Sequence, residues 1–350
     1  MHSLLRKNEF GRLVTRFLIC SVIAVADLLC TTRASAESPL RIGIVGCDTS
    51  HVVAFTKLIN DPTATGRLAQ FEVTNAFPGG SPDIPSSRDR VEGFTKELHD
   101  AGVEIVDSLA AVVEQSDAIL LESLDGRVHL EQFRQFATGK PVFIDKPAAA
   151  SLADVIAIFQ LAKETNTPCF TSSALRFSEN VAALKTSSEI GPITGCTVAS
   201  PFQTEPHHPD LFWYGVHGVE SVYALLGVGC ESVSRTDAGG ATVVVGAWRD
   251  GRFATYHGLK GHADYAFTAF GEKGIACERG FSGYAPLVNE ICEFFVTRKA
   301  PVSPEETIEM FAFMEAADES LRREGRPVLI RDMMTRAEQQ RSNSISPTKK

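Results

Sequence analysis

Paired cysteines are missing from this 350-residue chain: none of its 8 cysteines stands in a Cys-x-x-Cys spacing. That excludes the common zinc and dithiol redox motifs. Positive charge is short too, with 34 Lys and Arg against 43 Asp and Glu and a net charge of −9. Such a balance excludes nucleic acid and anionic membrane surfaces as expected partners. Internal repeats and low-complexity linkers are absent. One long apolar run stands out, Phe17 to Cys30, preceded by Arg6, Lys7, Arg12 and Arg16 and followed by Ala34-Ser-Ala36. This reads as a secretory signal peptide over residues 1–36, too short and wrongly flanked for a spanning helix. An exported location, periplasmic or secreted, is therefore expected, with no membrane contact in the mature form. The leader lacks adjacent arginines, so export of an already folded, cofactor-loaded protein is not indicated. Its removal takes away five basic and two acidic residues and leaves a net charge of −12. Six cysteines then remain, scattered in apolar surroundings. Buried free thiols are the default reading, and one disulfide stays open in an oxidising compartment.

What is present is alternation. Leu40–Val45, Phe71–Ala76, Val103–Val106, Ala118–Leu121, Val142–Ile144 and Pro168–Thr171 read as strands with helical patterns between them. One of those helices is signalled by Leu152, Val155, Ile156 and Phe159 behind the cap pair Ser151 and Asp154. Alternation of this kind, running from 40 to about 172, predicts a parallel sheet wrapped by helices, a domain over 39–150 on which the next helix and the strand at 168–172 pack. From about 190 short strands follow one another between glycine-rich or charged turns, an antiparallel pattern. A helix opening at Ser303-Pro304, with Glu306 completing the box, comes after them. The expected fold class is α/β: an N-terminal Rossmann-type parallel sheet, then over 151–331 an α+β domain with a largely antiparallel open sheet. Residues 332–350 read as a frayed polar tail. An antiparallel sheet with one uncovered face commonly pairs with a second subunit, so a homo-oligomer is expected.

The stretch Val142-Phe-Ile-Asp-Lys-Pro147 organises the chemistry. Its apolar run suits a strand buried on both faces, and the proline ends the ladder, leaving Lys146 at the carboxyl edge. In open α/β sheets that edge is where ligands sit. Taken alone, the lysine serves equally well in an ion pair. The loop after the first strand, Gly46-Cys-Asp48-Thr-Ser-His51, offers helix caps in Asp48, Thr49 and Ser50, and the amides of the following helix suit an anion.

Arg41-Ile-Gly-Ile-Val-Gly46, His129, Gly139–Pro147, Leu175-Arg-Phe177, Gly215–Glu220 and Gly325–Val328 together resemble, in order and spacing, the Gfo/Idh/MocA family of glucose–fructose oxidoreductase and inositol dehydrogenase relatives. The resemblance covers nearly all of the chain after the leader. It implies NAD or NADP as cofactor, held by Gly46, Asp48, Thr49, Ser50, His51, Ser123, His129, Asp145 and Lys146, and a carbohydrate or polyol as substrate. It also implies Lys146 and His217 as catalytic residues, with Arg176, His207, His208, Asp210, Trp213, Tyr214 and Glu220 around the substrate. Three departures stand out. Family members carry glycine where this chain has Asp48 and His51, so a carboxylate stands where two phosphates should lie. The acid that holds the adenosine ribose after the second strand is missing from Asn75–Gly80; Asp83 comes too late for it, and Arg88 and Arg90 either meet a 2′-phosphate in its place or, the preferred reading, face solvent on a helix. Trp213 replaces the family's catalytic aspartate.

His217 is a candidate general base, since an unperturbed histidine titrates near neutrality. Phe212, Trp213 and Tyr214 offer a stacking platform for a sugar ring or simple core packing. Arg176 contacts ligand or pairs with Glu179. His207, His208, Asp210 and His217 are metal-ligand types, but adjacent histidines point apart on a strand or loop, so no metal is assigned. Two functions stay open: hydride transfer between NAD(P) and a CH–OH group, or a non-redox relative that binds sugar or acts as a lyase or hydrolase through Lys146, His217 and Asp48.

Overall fold

The computed structural model describes residues 38–261 and 264–345; the expected leader lies outside them. The first half runs β1 (Leu40–Val45), α1 (Ser50–Ile59), β2 (Phe71–Phe77), α2 (Pro85–Arg88), α3 (Val91–Asp100), β3 (Glu104–Ile105), α4 (Leu109–Gln115), β4 (Ala118–Leu121), α5 (His129–Phe136), β5 (Val142–Ile144), α6 (Leu152–Glu164) and β6 (Cys169–Thr171). Every pair in this sheet is parallel, in the order β3-β2-β1-β4-β5-β6. β4 and β5 are buried at every position, as their unbroken apolar sequences require when helices cover both faces. The order reverses between β1 and β4, so the crevice at their carboxyl ends is the topological switch point.

The second half runs α7 (Glu179–Thr186), β7 (Ile193–Pro201), α8 (Val216–Leu226), β8 (Cys230–Ala238), β9 (Ala241–Trp248), β10 (Phe253–Leu259), β11 (Ala266–Gly271), β12 (Ile275–Arg279), α9 (Ala285–Thr297), α10 (Pro304–Arg322), β13 (Val328–Leu329) and α11 (Ile330–Ile345). Seven strands form one sheet, β12-β11-β7-β10-β9-β8-β13. It is mostly antiparallel, as expected, with one parallel pair, β7 with β10. Its inner face packs on α8 and α10. One hydrophobic cluster runs from Leu121 and Ile144 through Val155 to Val198 and Tyr256, so the two sheets share a core. α8 lies so close to β10 that a Cβ on Gly218 would stand 2.2 Å from the Tyr256 ring, which fixes the depth of neighbouring His217.

The frayed tail expected after Arg331 is instead helix α11. Ile330, Met333 and Ala337 are buried along one side of it, a helical spacing that its polar composition masked. The six cysteines of the described residues are free; Cys277 is exposed and the other five are buried. No helix of the described residues is long and apolar enough to cross a membrane.

Candidate active site

A cleft with an interior volume of about 250 Å³ opens at the carboxyl ends of the first sheet, close to the lower end of the ~300–1,000 Å³ usual for ligand pockets. Its floor comes from the parallel sheet: Thr49, Ser50 and His51 at the start of α1, Leu124 after β4, and Lys146 and Pro147 after β5. Its far wall comes from the second half of the chain: Ser173, Gln203, Trp213, Tyr214, His217, Tyr265, Phe281 and Tyr284. Lys146 is 8% exposed and forms no ion pair among the described residues. Among the described residues no carboxylate lines the cleft.

The loop after β1 resolves the first departure. Gly46 takes φ +88°, and a Cβ there would lie 2.4 Å from the Ser123 amide nitrogen; only glycine permits this approach. Asp48 does not cap α1. The cap is Thr49, whose hydroxyl accepts from the His51 amide at 3.4 Å. The Asp48 carboxylate turns inward, fully buried, accepting from the Ser87 hydroxyl at 2.6 Å and the Leu124 amide at 3.0 Å. Burial raises its pKa against those two hydrogen bonds. The expected clash with phosphates is therefore absent, because the charge faces away from the cleft. The segment after β2 folds over this loop: the Cys47 amide donates to the Pro78 carbonyl at 2.7 Å, and the Ser81 hydroxyl to Asp125 at 2.7 Å. Asp83 pairs with Arg127 at 2.9 Å. Arg90, expected to face solvent, lines the cleft with Ser86.

Several candidates stand behind the cleft. His129 is fully buried between the carbonyls of Ser123 (2.7 Å) and Ala148 (3.1 Å). Desolvation lowers its pKa against both of those contacts, and the two ring nitrogens sit between the loop after β4 and the turn after Lys146. Ser123 is buried with its hydroxyl unpartnered. The Asp145 carboxylate meets the His51 Nδ1 at 2.8 Å. Arg176 does not pair with Glu179; it is buried between Glu220 and Glu306, each at 2.5 Å. Burial raises the pKa of Glu220 despite that arginine.

The residues of the 203–220 segment separate. His207 and His208 do not point apart: the Nδ1 atoms of both meet Glu205, at 2.7 and 2.9 Å. His208 also accepts from the Gly126 amide at 3.1 Å, which joins this segment to the loop after β4, and its ring lies tilted against Trp213 with centroids 5.0 Å apart. Asp210 lies elsewhere, 2.9 Å from Arg235. Phe212 is core, whereas Trp213 and Tyr214 form cleft wall. His217 reaches the cleft with Nδ1 at 2.7 Å from the Ser173 hydroxyl. Burial first, then the charge of Lys146, holds its pKa well below the ordinary histidine value; it is a neutral hydrogen-bonding group rather than one poised at neutrality.

Sequence reasoning missed Ser86, Ser173, Tyr265, Phe281, Tyr284 and the buried Glu122, and gave Gln203 no role. The aromatic residues sit at strand and helix ends, where periodicity carries no signal. Glu122 interrupts an apolar run, Ala118–Leu121, and that interruption was the available clue.

No family model matches the sequence, and no curated protein does. Solved structures do. The scyllo-inositol dehydrogenase from Lactobacillus casei with bound NAD(H) and scyllo-inositol superposes with a TM-score of 0.68 at 14% identity, over 84% of this chain and 99% of that one. The myo-inositol dehydrogenase from the same organism, in complex with NAD(H) and myo-inositol, gives 0.65 at 15% identity over 83% and 96%. An oxidoreductase from Thermotoga maritima gives 0.65 at 19% identity over 84% and 99%. This is the inositol dehydrogenase fold.

Proposed function

We propose that this chain is an NAD(P)-dependent oxidoreductase acting on a CH–OH group of a polyol or carbohydrate. The observation that carries the reading is Lys146: a nearly buried amine without an ion-pair partner, held at the end of β5 inside a cleft at the switch point. Support comes from the fold: two of the solved neighbours named above, the Lactobacillus casei dehydrogenases, are in complex with NAD(H) and an inositol.

The residues present suit a dinucleotide. The amino end of α1, the hydroxyls of Thr49, Ser50 and Ser86, and Arg90 offer donors and positive charge to phosphates. The Asp48 carboxylate is withdrawn, and the unpartnered Ser123 hydroxyl is a spare donor behind the same loop. When bound, the cofactor supplies the hydride acceptor. The chain's own residues bind and orient the alcohol. Lys146 donates a hydrogen bond to the reacting oxygen, and His217, neutral and fixed by Ser173, positions it. Trp213, Tyr214, Tyr265 and Tyr284 present ring faces and hydroxyls to an amphipathic ring. The non-redox reading loses one of its three residues, because fully buried Asp48 cannot touch a substrate.

Titrating the protein with NAD(H) and NADP(H) while following nicotinamide fluorescence, then screening polyols for turnover, tests the proposal. Absence of binding at millimolar cofactor overturns it. Lys146→Ala is expected to lower kcat/KM by about 10²–10⁴-fold, the usual worth of a positioned proton-handling group, with an unchanged melting temperature. A variant that keeps the original rate removes Lys146 from the site. Export rests on the leader alone, and we infer it as part of the same reading; amino-terminal sequencing of the protein recovered outside the cytoplasm, expected to begin near Glu37, checks it.

A further inference from the structure

At the floor of the cleft and behind it lies a group of side chains to which the proposed function assigns no step. Leu121 of β4 is level with Ile144 of β5, so the next residues, Glu122 and Asp145, stand side by side where the two strands end. Both are fully buried. One ring nitrogen of His51 and one oxygen from each carboxylate lie within 4.8 Å of one another. Three of the four carboxylate oxygens have no hydrogen-bond partner: both of Glu122 and Oδ1 of Asp145. The fourth, Asp145 Oδ2, meets the His51 Nδ1 at 2.8 Å. His51 itself opens on the cleft beside Lys146.

A buried carboxylate that accepts no hydrogen bond cannot keep its charge, and two adjacent ones cannot both be ionised. A single proton held on Glu122 would leave the adjacent pair with one negative charge and give it a donor toward Asp145. The neighbours agree with a neutral Glu122 beside an ionised Asp145. Lys146 brings one positive charge from β5, Asp48 and Cys47 face the group from the loop after β1, and His217 and Tyr284 lie across the cleft. Burial, then the charge of Asp145, raises the pKa of Glu122 well above the ordinary range, whereas for Asp145 burial is outweighed by His51 and Lys146, which lower it.

We propose that His51, oriented by Asp145 with protonated Glu122 behind it, is the proton acceptor of the cleft. The role rests on the oxidoreductase reading; the arrangement itself does not. In the oxidation direction the substrate O–H bond breaks and its electron pair stays on oxygen. The proton goes to the His51 Nε2, and the resulting imidazolium shares its Nδ1 proton with Asp145. Glu122 keeps the pair at a single negative charge, so the imidazolium forms beside one counter-charge and not two. The proton then leaves Nε2 for solvent through the cleft mouth. The logic is that of a histidine backed by a buried carboxylate, built on a different scaffold.

Two measurements need neither cofactor nor substrate. Infrared difference spectra between the wild type and Glu122→Gln, at neutral pH, are expected to show the carbonyl band of one protonated carboxylic acid in the wild type alone. Proton NMR is expected to show a far-downfield His51 Nδ1–H resonance that Asp145→Asn and His51→Gln each remove. Absence of the acid band, absence of that resonance, or a stoichiometric divalent metal in the purified protein overturns the arrangement. On a substrate found by the polyol screen, His51→Ala is expected to lose about 10²–10⁴-fold in kcat with KM within a few-fold, and added imidazole to restore part of it. Wild-type kcat in that variant, or a loss that imidazole leaves untouched, overturns the role. Should no polyol turn over, the oxidoreductase reading fails and the spectra still decide the arrangement.

Discussion

Asp48 shows how a single side chain changes meaning with its rotamer. On sequence it sets a carboxylate against two phosphates; in the structure it is a buried clasp between the loop after β1, Ser87 and Leu124. Replacing it with the fingerprint residue, Asp48→Gly, is therefore expected to destabilise the protein. The Leu124 amide and Ser87 hydroxyl lose their acceptor, at about 1–3 kcal/mol for unsatisfied buried donors, measurable by urea unfolding. An unchanged or increased stability argues against the clasp. The residue types of the site were legible: Lys146, His217, Trp213, Tyr214 and the start of α1 all reach the cleft. Their partners were not, because partnership depends on direction. Arg176 chooses Glu220 and Glu306 over Glu179, and Asp210 chooses Arg235 over the cleft.

Among the elements, the strands of the first sheet were read almost to the residue, since buried parallel strands are short apolar runs bounded by polar ones. β3 was read two residues too long and α11 was missed. What anchors α11 is partly ionic: Glu319 on α10 holds Arg336 at 3.3 Å together with Arg322 and Arg323. Nearby, Arg235 is 1% exposed and divides its charge among Asp210, Asp237 and Asp318. Burial pushes the Asp318 carboxyl from 3.8 up to about 7 in spite of that arginine. A folded pKa above the unfolded one favours the folded state fully below pH ~3.8, and the advantage is lost as pH rises through about 7. The melting temperature is expected to rise between pH 8 and pH 6, and Asp318→Asn to flatten that rise. An identical pH dependence in both proteins contradicts the assignment.

For the whole molecule, the outward face of the second sheet decides what else the chain needs. Register places Val245 and Thr255 in one cross-sheet row with Thr197, Thr268 and Cys277, and Phe253 in the next with Gly195, Phe270 and Ile275. Val245 is 42%, Phe253 44% and Ile275 66% exposed, and Phe253 stacks on Phe270 with ring centroids 5.8 Å apart. Exposed apolar side chains gathered on one sheet face are a common feature of association surfaces. We expect a homo-oligomer through this face, and Phe253→Glu with Ile275→Glu to give a monomer in light scattering after size exclusion. A wild-type monomer at micromolar concentration contradicts it.

The exposed thiol in that sheet has a practical corollary. With its five companions sealed in the interior, Cys277 alone among the described cysteines is open to a maleimide. Its alkylation rate, followed against dilution, becomes an intrinsic footprint of whether the outer sheet face is covered or bare.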